Sequence, residues 1–200
     1  MSTQPPAFFS SNIILENDRV RIEPLEEKHF EPLWLIAQNP NLWLFSSSVV
    51  QNKNHFRRYI NTALTERDTF KSYPFVYTDK ATGAYVGSTR YGNIDLANKR
   101  LEIGWTWLAQ QLHATGFNRQ CKFLLLCYGF ETLHLNRIEL KTSTLNIRSQ
   151  KAMQHIGAVK EGILRRHSIN EDGTIRDAVY FSFIKDEWPT TKAKYFSSLY

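Results

Sequence analysis

The segment QLHATGFNRQ, residues 111–120, has the residue types of an anion cradle. Its loop, residues 113–118, holds one glycine, Gly116, which can take φ > 0 and turn backbone N–H groups toward a phosphate. A long apolar run follows. The helix that this run predicts leaves its first N–H groups without internal partners and carries partial positive charge there. Helices commonly place Asp or Glu in that first turn, whereas this one places Arg119 and no acid. The pattern points to an external anion held by His113, Ala114, Thr115, Gly116, Phe117, Asn118 and Arg119. A cap by Thr115 or Asn118 is the competing local reading. Further along, NIRSQKAMQHIGAVKEG places Asn146 in a loop just past a strand and Ser149 at the start of a short helix ended by Gly157. Both polar side chains can therefore face the same cleft as the loop.

These groups need a scaffold, and hydrophobic periodicity supplies one. NDRVRIEPL alternates as a strand over residues 19–24, and EKHFEPLWLIAQ reads as a helix that tolerates Pro32 only in its first turn. Phe56, Tyr59, Ile60, Ala63 and Leu64 recur at helical spacing over residues 54–67. YPFVYT, AYVGSTRYGNI and RLEIGWTWL are strands joined by the turn segments DKATG and DLANK, so they form an antiparallel meander. The apolar helix has about four turns. RIELKTST is then a strand, and EGILRRHSI with DAVYFSFI closes a hairpin around Asp172 and Gly173. The strands at 101–108 and 137–142 should run parallel, joined by a right-handed crossover through the apolar helix. The expected class is α+β: a predominantly antiparallel mixed sheet with a central parallel βαβ unit and helices on both faces.

Composition bounds the rest. The 200 residues are 42% hydrophobic and 14% aromatic, which suits one domain with a real core. The net charge of +6 favours an anionic partner, but the basic residues are scattered, which argues against nucleic acid. The first residues lack the basic and apolar blocks of a secretory signal, and no run approaches the roughly 18 apolar residues of a membrane span. A cytoplasmic protein with no membrane partner is expected. Cys121 and Cys127 point to different faces of one helix and read as core thiols, and the six histidines show no metal-ligand spacing.

VRIEPL near the start, HATGFN, and NIRSQKAMQHIGA after the next strand together resemble the GNAT-type N-acetyltransferases of the RimJ/RimL-like branch. The resemblance spans residues 13–188, leaving an N-terminal extension at 1–12 and a tail at 189–200. It implies a GNAT-like fold and acetyl-CoA as cofactor, with the pyrophosphate on residues 113–118 and pantetheine between the parallel strands. Backbone groups near Trp107 and Leu108 would pair with pantetheine, Asn146 would contact the cofactor arm, and Ser149 would stand near the thioester sulfur. The acetyl group would pass directly to a primary amine, either a protein N-terminal α-amine or a small molecule.

Such a transfer needs a base for the amine, for which Glu102 is the candidate, a backbone donor for the oxyanion, and a hydroxyl at the sulfur, for which Ser149 is the candidate. The sequence departs from the pattern at Met153, where many relatives carry a tyrosine acid. It departs also at Ala114 and Gln110, where a glycine and a proline are usual. A residue other than glycine costs of order 1 kcal/mol if φ > 0 is required. His113 could add a contact to phosphate or be a solvated loop histidine, and Trp43, Trp105, Trp107 and the aromatics of YPFVY could line the acceptor side, although most large aromatics are simply core. The competing function is a non-catalytic CoA- or nucleic-acid-binding module on the same fold. A monomer or a homodimer fits either reading.

Overall fold

Alternation along the strands places apolar side chains on both faces of one sheet, and helices cover each face. In the computed structural model, which describes residues 7–10 and 12–200, the helices are α1 (Ala7–Ser10), α2 (Phe30–Ala37), α3 (Lys53–Asp68), α4 (Phe117–Cys127), α5 (Ile147–His155) and α6 (Trp188–Phe196). The strands are β1 (Leu15–Glu16), β2 (Val20–Pro24), β3 (Tyr73–Asp79), β4 (Ala84–Asp95), β5 (Arg100–Leu108), β6 (Arg137–Ser143), β7 (Val159–Ile169) and β8 (Ile175–Ile184). Of the expected N-terminal extension, residues 1–6 and 11 lie outside the described residues.

The eight strands form one sheet in the order β1-β2-β3-β4-β5-β6-β8-β7. Every neighbouring pair is antiparallel except β5 and β6, which are parallel. On β3 the period of two is plain: Tyr73, Phe75 and Tyr77 join the core with Phe117, Leu125 and Phe181, while Val76 joins the opposite core with Phe30, Phe56 and Ile60. These three aromatics are buried, so the expectation that YPFVY lines an acceptor site is corrected: a strand covered on both faces spends its aromatics on packing.

The parallel pair is joined through α4, which continues into a π-helical turn, Tyr128–Thr132. A side chain at Gly129 would stand 2.5 Å from Ile138 Cδ1, so the glycine is what lets this turn approach β6. The pairing of β5 with β6 is short. It runs from Arg100 opposite Arg137 to Glu102 opposite Glu139 and stops there. Past that point β5 carries a bulge, where Trp105 has φ 52° and the register against β4 shifts between Ser88 and Arg90. β6 meanwhile follows β8 as far as Ser143 opposite Ala178. The two strands diverge into a V.

The residues of the expected tail form α6, which packs on the outer side of α4. Trp188 and Phe196 are buried, and the Phe196 ring lies 5.3 Å from that of Phe123. Glu131 accepts hydrogen bonds from Trp188 Nε1 and Lys192 Nζ, each at 2.8 Å.

Candidate active site

The V between β5 and β6 opens into a cleft of about 600 Å³. Residues 102–108 of β5 form one wall, and Leu140, Lys141 and Thr142 of β6 begin the other. The starts of α4 and α5 close one end, and the segment at 41–47 with the β7–β8 hairpin closes the other.

At the α4 end the loop has the strained geometry that the glycine predicted. Gly116 has φ 84° and Ala114 has φ 61°, so the position where a glycine was missing does require the left-handed region. The loop spends part of its N–H supply on itself. His113 N donates to Gln110 O, Thr115 N to Leu112 O, and Phe117 N to the Thr115 hydroxyl. The N–H groups of Ala114, Gly116 and Asn118 have no partner among the described residues, and Gly116 caps α4 with no side-chain hydrogen bond. Asn118, which lines the cleft, also has a buried Oδ1 without a partner among the described residues.

Two members of the predicted loop set do not line the cleft. Phe117 is fully buried in the core. Thr115 is tied by its carbonyl and hydroxyl to Arg19 Nη1 and Nη2, at 3.0 and 3.3 Å. Arg119 borders the cleft, but its guanidinium donates to the Tyr195 carbonyl of α6, so it anchors the tail helix instead of leaving its charge free at the helix start. His113 is not simply solvated. Its Nδ1 faces Arg148 Nη1 at 3.2 Å and its Nε2 faces Leu108 O at 2.9 Å. Because arginine only donates, Nδ1 is the acceptor and Nε2–H donates to the Leu108 carbonyl, one of the backbone groups expected to meet pantetheine.

α5 closes its own start. Asn146, not Ser149, is the cap, with Oδ1 accepting from Ser149 N at 3.1 Å. Ser149 is thereby placed inside the first turn, half-buried, with its Oγ unpartnered among the described residues. Asn146, Ser149 and Met153 all line the cleft.

Glu102 lies where pairing with β6 ends and is buried. Its Oε2 accepts from Asn93 Nδ2 at 2.7 Å and pairs with Lys141 Nζ at 2.9 Å. Burial pulls the Lys141 pKa down, but the pair with Glu102 outweighs it and leaves that pKa above its ordinary value. A Cβ at Gly104 would come within 2.6 Å of Glu102 Oε1, so the glycine makes room for the carboxylate over the strand. Beside the bulge, Lys122 of α4 is buried and donates to Thr106 Oγ1 at 2.9 Å, and burial pulls its pKa down to about 8. Sequence reading passed over Lys122, although a charge in the apolar part of a helix is a signal. Lys141, Asn93 and Arg19 gave none, since their roles come from strands that are remote in the chain. Trp43, Trp105 and Trp107 do line the cleft, and Tyr59 donates to the Trp105 carbonyl at 3.3 Å. Among the described residues no helix is long and apolar enough to cross a membrane, and no cluster of ligating side chains could hold a metal.

This architecture and chain are shared with known proteins. The family description "Acetyltransferase (GNAT) domain" matches residues 19–159. YdaF of Bacillus subtilis (strain 168), which carries the name of a ribosomal N-acetyltransferase, is 30% identical over 184 residues, covering 88% of this chain and 97% of its own. A crystal structure described as an acetyltransferase from T. thermophilus superposes with a TM-score of 0.85 at 30% identity, covering 96% of this chain and 99% of that one. A GCN5-related N-acetyltransferase from Brucella melitensis gives a TM-score of 0.85 at 26% identity, over 94% of this chain and 85% of that one. With the splayed parallel pair, the left-handed loop before α4 and these matches in agreement, the chain belongs to the GNAT acetyltransferase family.

Proposed function

We propose that the protein is an acetyl-CoA-dependent N-acetyltransferase that passes the acetyl group directly to a primary amine within a ternary complex. The amine is a protein N-terminal α-amine, in keeping with the name that YdaF carries, or that of a small molecule. The observation that carries this reading is the one-sided strand. From Ile103 to Leu108, β5 is bonded to β4 but not to β6, and its free edge faces the cleft. An extended amide-bearing arm fits such an edge by β-type hydrogen bonding. The free N–H groups of Ala114, Gly116 and Asn118 suit a pyrophosphate at the start of α4, and the orphaned Asn118 Oδ1 suits an N–H donor.

Bound acetyl-CoA supplies an acyl thioester that a neutral amine can attack. In this reading Glu102 Oε1, the oxygen not engaged by Lys141 and Asn93, takes the amine proton directly or through a water. Backbone N–H groups at the Trp105 bulge orient the acyl oxygen. Ser149 Oγ–H, free because Asn146 has taken over the cap, donates toward the sulfur. The test is the thermal-unfolding midpoint with acetyl-CoA at about 100 times its Kd, expected to rise by about 5 to 10 °C, followed by mass detection of acetylated amines. No rise at millimolar acetyl-CoA overturns the reading.

A further inference from the structure

The end of the cleft away from α4 has its own electrostatic character. Five Lys or Arg side chains line the cleft, Arg119, Lys122, Lys141, Arg148 and Arg176, against one carboxylate, Glu102. Each makes a hydrogen bond or ion pair: Arg119 with the Tyr195 carbonyl, Arg148 with His113, Lys141 with Glu102, Lys122 with Thr106 and Arg176 with the Phe45 carbonyl. Arg176, at the start of β8, differs in keeping a buried donor unmatched. Its Nη1 donates to the Phe45 carbonyl at 3.3 Å, while its Nε is buried without a partner. The Trp107 indole Nε1 is likewise buried and unpartnered, and its ring lies 5.7 Å from Trp43, on the segment that also carries Phe45. Two residues that line this end therefore each hold a buried donor without an acceptor among the described residues. Glu102, the only carboxylate there, is already neutralised by Lys141.

Granting the acetyltransferase reading, we propose that Arg176 and the Trp107 N–H form a carboxylate-binding subsite for the acceptor. The substrate is then an amine that carries a carboxylate close by, and not a polyamine. A polycation entering here meets the Arg176 charge and unmatched donors, while a carboxylate supplies the missing acceptor, and a site built to hydrogen-bond one group discriminates strongly against analogues that lack it.

The experiment compares C-terminally amidated tripeptides that differ only by Glu or Gln at the second position, free α-amino acids with their methyl esters, and spermidine. Expected is a kcat/KM at least tenfold higher for the carboxylate member of each pair, expressed in KM, with spermidine poorest. Arg176→Gln should bring each ratio to within about twofold and Arg176→Lys should restore part of it. Trp107→Phe, which deletes the N–H and keeps a ring, should lower the ratio by itself. In a second readout, the N-acetylated Glu tripeptide should raise the unfolding midpoint of the CoA-loaded protein more than its Gln counterpart does. Equal kcat/KM within the pairs, or preference for spermidine, overturns the subsite while leaving acetyl transfer standing. No transfer to any acceptor and no midpoint shift with acetyl-CoA overturns both.

Discussion

Two helices begin at the same end of the cleft, and they treat their first turns in opposite ways. Neither α4 nor α5 has an acid there. α5 satisfies itself, because Asn146 Oδ1 accepts from Ser149 N, whereas α4 starts from Gly116 in the left-handed region with no side-chain cap. α4 is also a core element that buries a lysine, while α5 has no buried residue. A helix start that has met its own N–H demand acts as a mount, here for the Ser149 hydroxyl. A start left open inside a cleft is a place for a ligand's negative charge.

This contrast can be broken by substitution. The largest effect is expected at the mount: Ser149→Ala should lower kcat about 100-fold with little change in acetyl-CoA affinity, read by steady-state kinetics beside calorimetric titration. An unchanged kcat would remove the hydroxyl from the chemistry. Next is the buried ammonium of α4. Its folded pKa of about 8 lies below the ordinary 10.5, so between those values the unfolded chain binds more protons and stability rises with pH. Lys122→Met should therefore be the more stable protein at pH 7, and its advantage should shrink by about 1.4 kcal/mol per pH unit above pH 8. Denaturant titrations of both proteins from pH 7 to 10 measure this, and the difference cancels the tyrosines and cysteines that titrate in the same range.

An acid placed at each start sharpens the comparison further. Gly116→Asp should weaken acetyl-CoA about tenfold, through like charge at the anion and the left-handed backbone. Asn146→Asp keeps a capping oxygen and should leave the unfolding midpoint unchanged. The smallest effect belongs to Asn146→Ala, where losing the cap should cost about 1 kcal/mol, or a midpoint lower by about 2 to 4 °C. If both acids behaved alike, the two helix starts would not differ in kind.

Much of the frame was legible in the chain. The meander, the parallel pair around an apolar helix and the closing hairpin follow from periods of two and 3.6 and from glycine-containing turns. At the site, Gly116 announced a positive φ, and the missing acid announced an open helix start. Ser149 was legible as a polar residue facing the cleft but not as an inner first-turn position, because Asn146 and Ser149 are both good caps and only geometry chooses between them. Arg119 is expected from the sequence among the anion-holding residues, yet it is bound to the Tyr195 carbonyl, since nothing local says that the last helix folds back across α4. Whether the aromatics of β3 pack in the core or wall an acceptor site was not legible, because periodicity marks an apolar face without saying whether a helix covers it.

The sequence by itself determined the class of fold, the order of the central elements and the open left-handed start of α4, because these rest on short-range properties: side-chain periodicity, glycine's access to φ > 0 and the charge of a first helical turn. Tertiary structure alone decided where β5 parts from β6, which carboxylate Lys141 neutralises and which donors, Arg176 and Trp107, remain unsatisfied. The physical reason is distance along the chain. Hydrogen bonds and ion pairs act over a few ångströms in space, and groups many residues apart acquire partners only when the sheet and its covering helices bring them together.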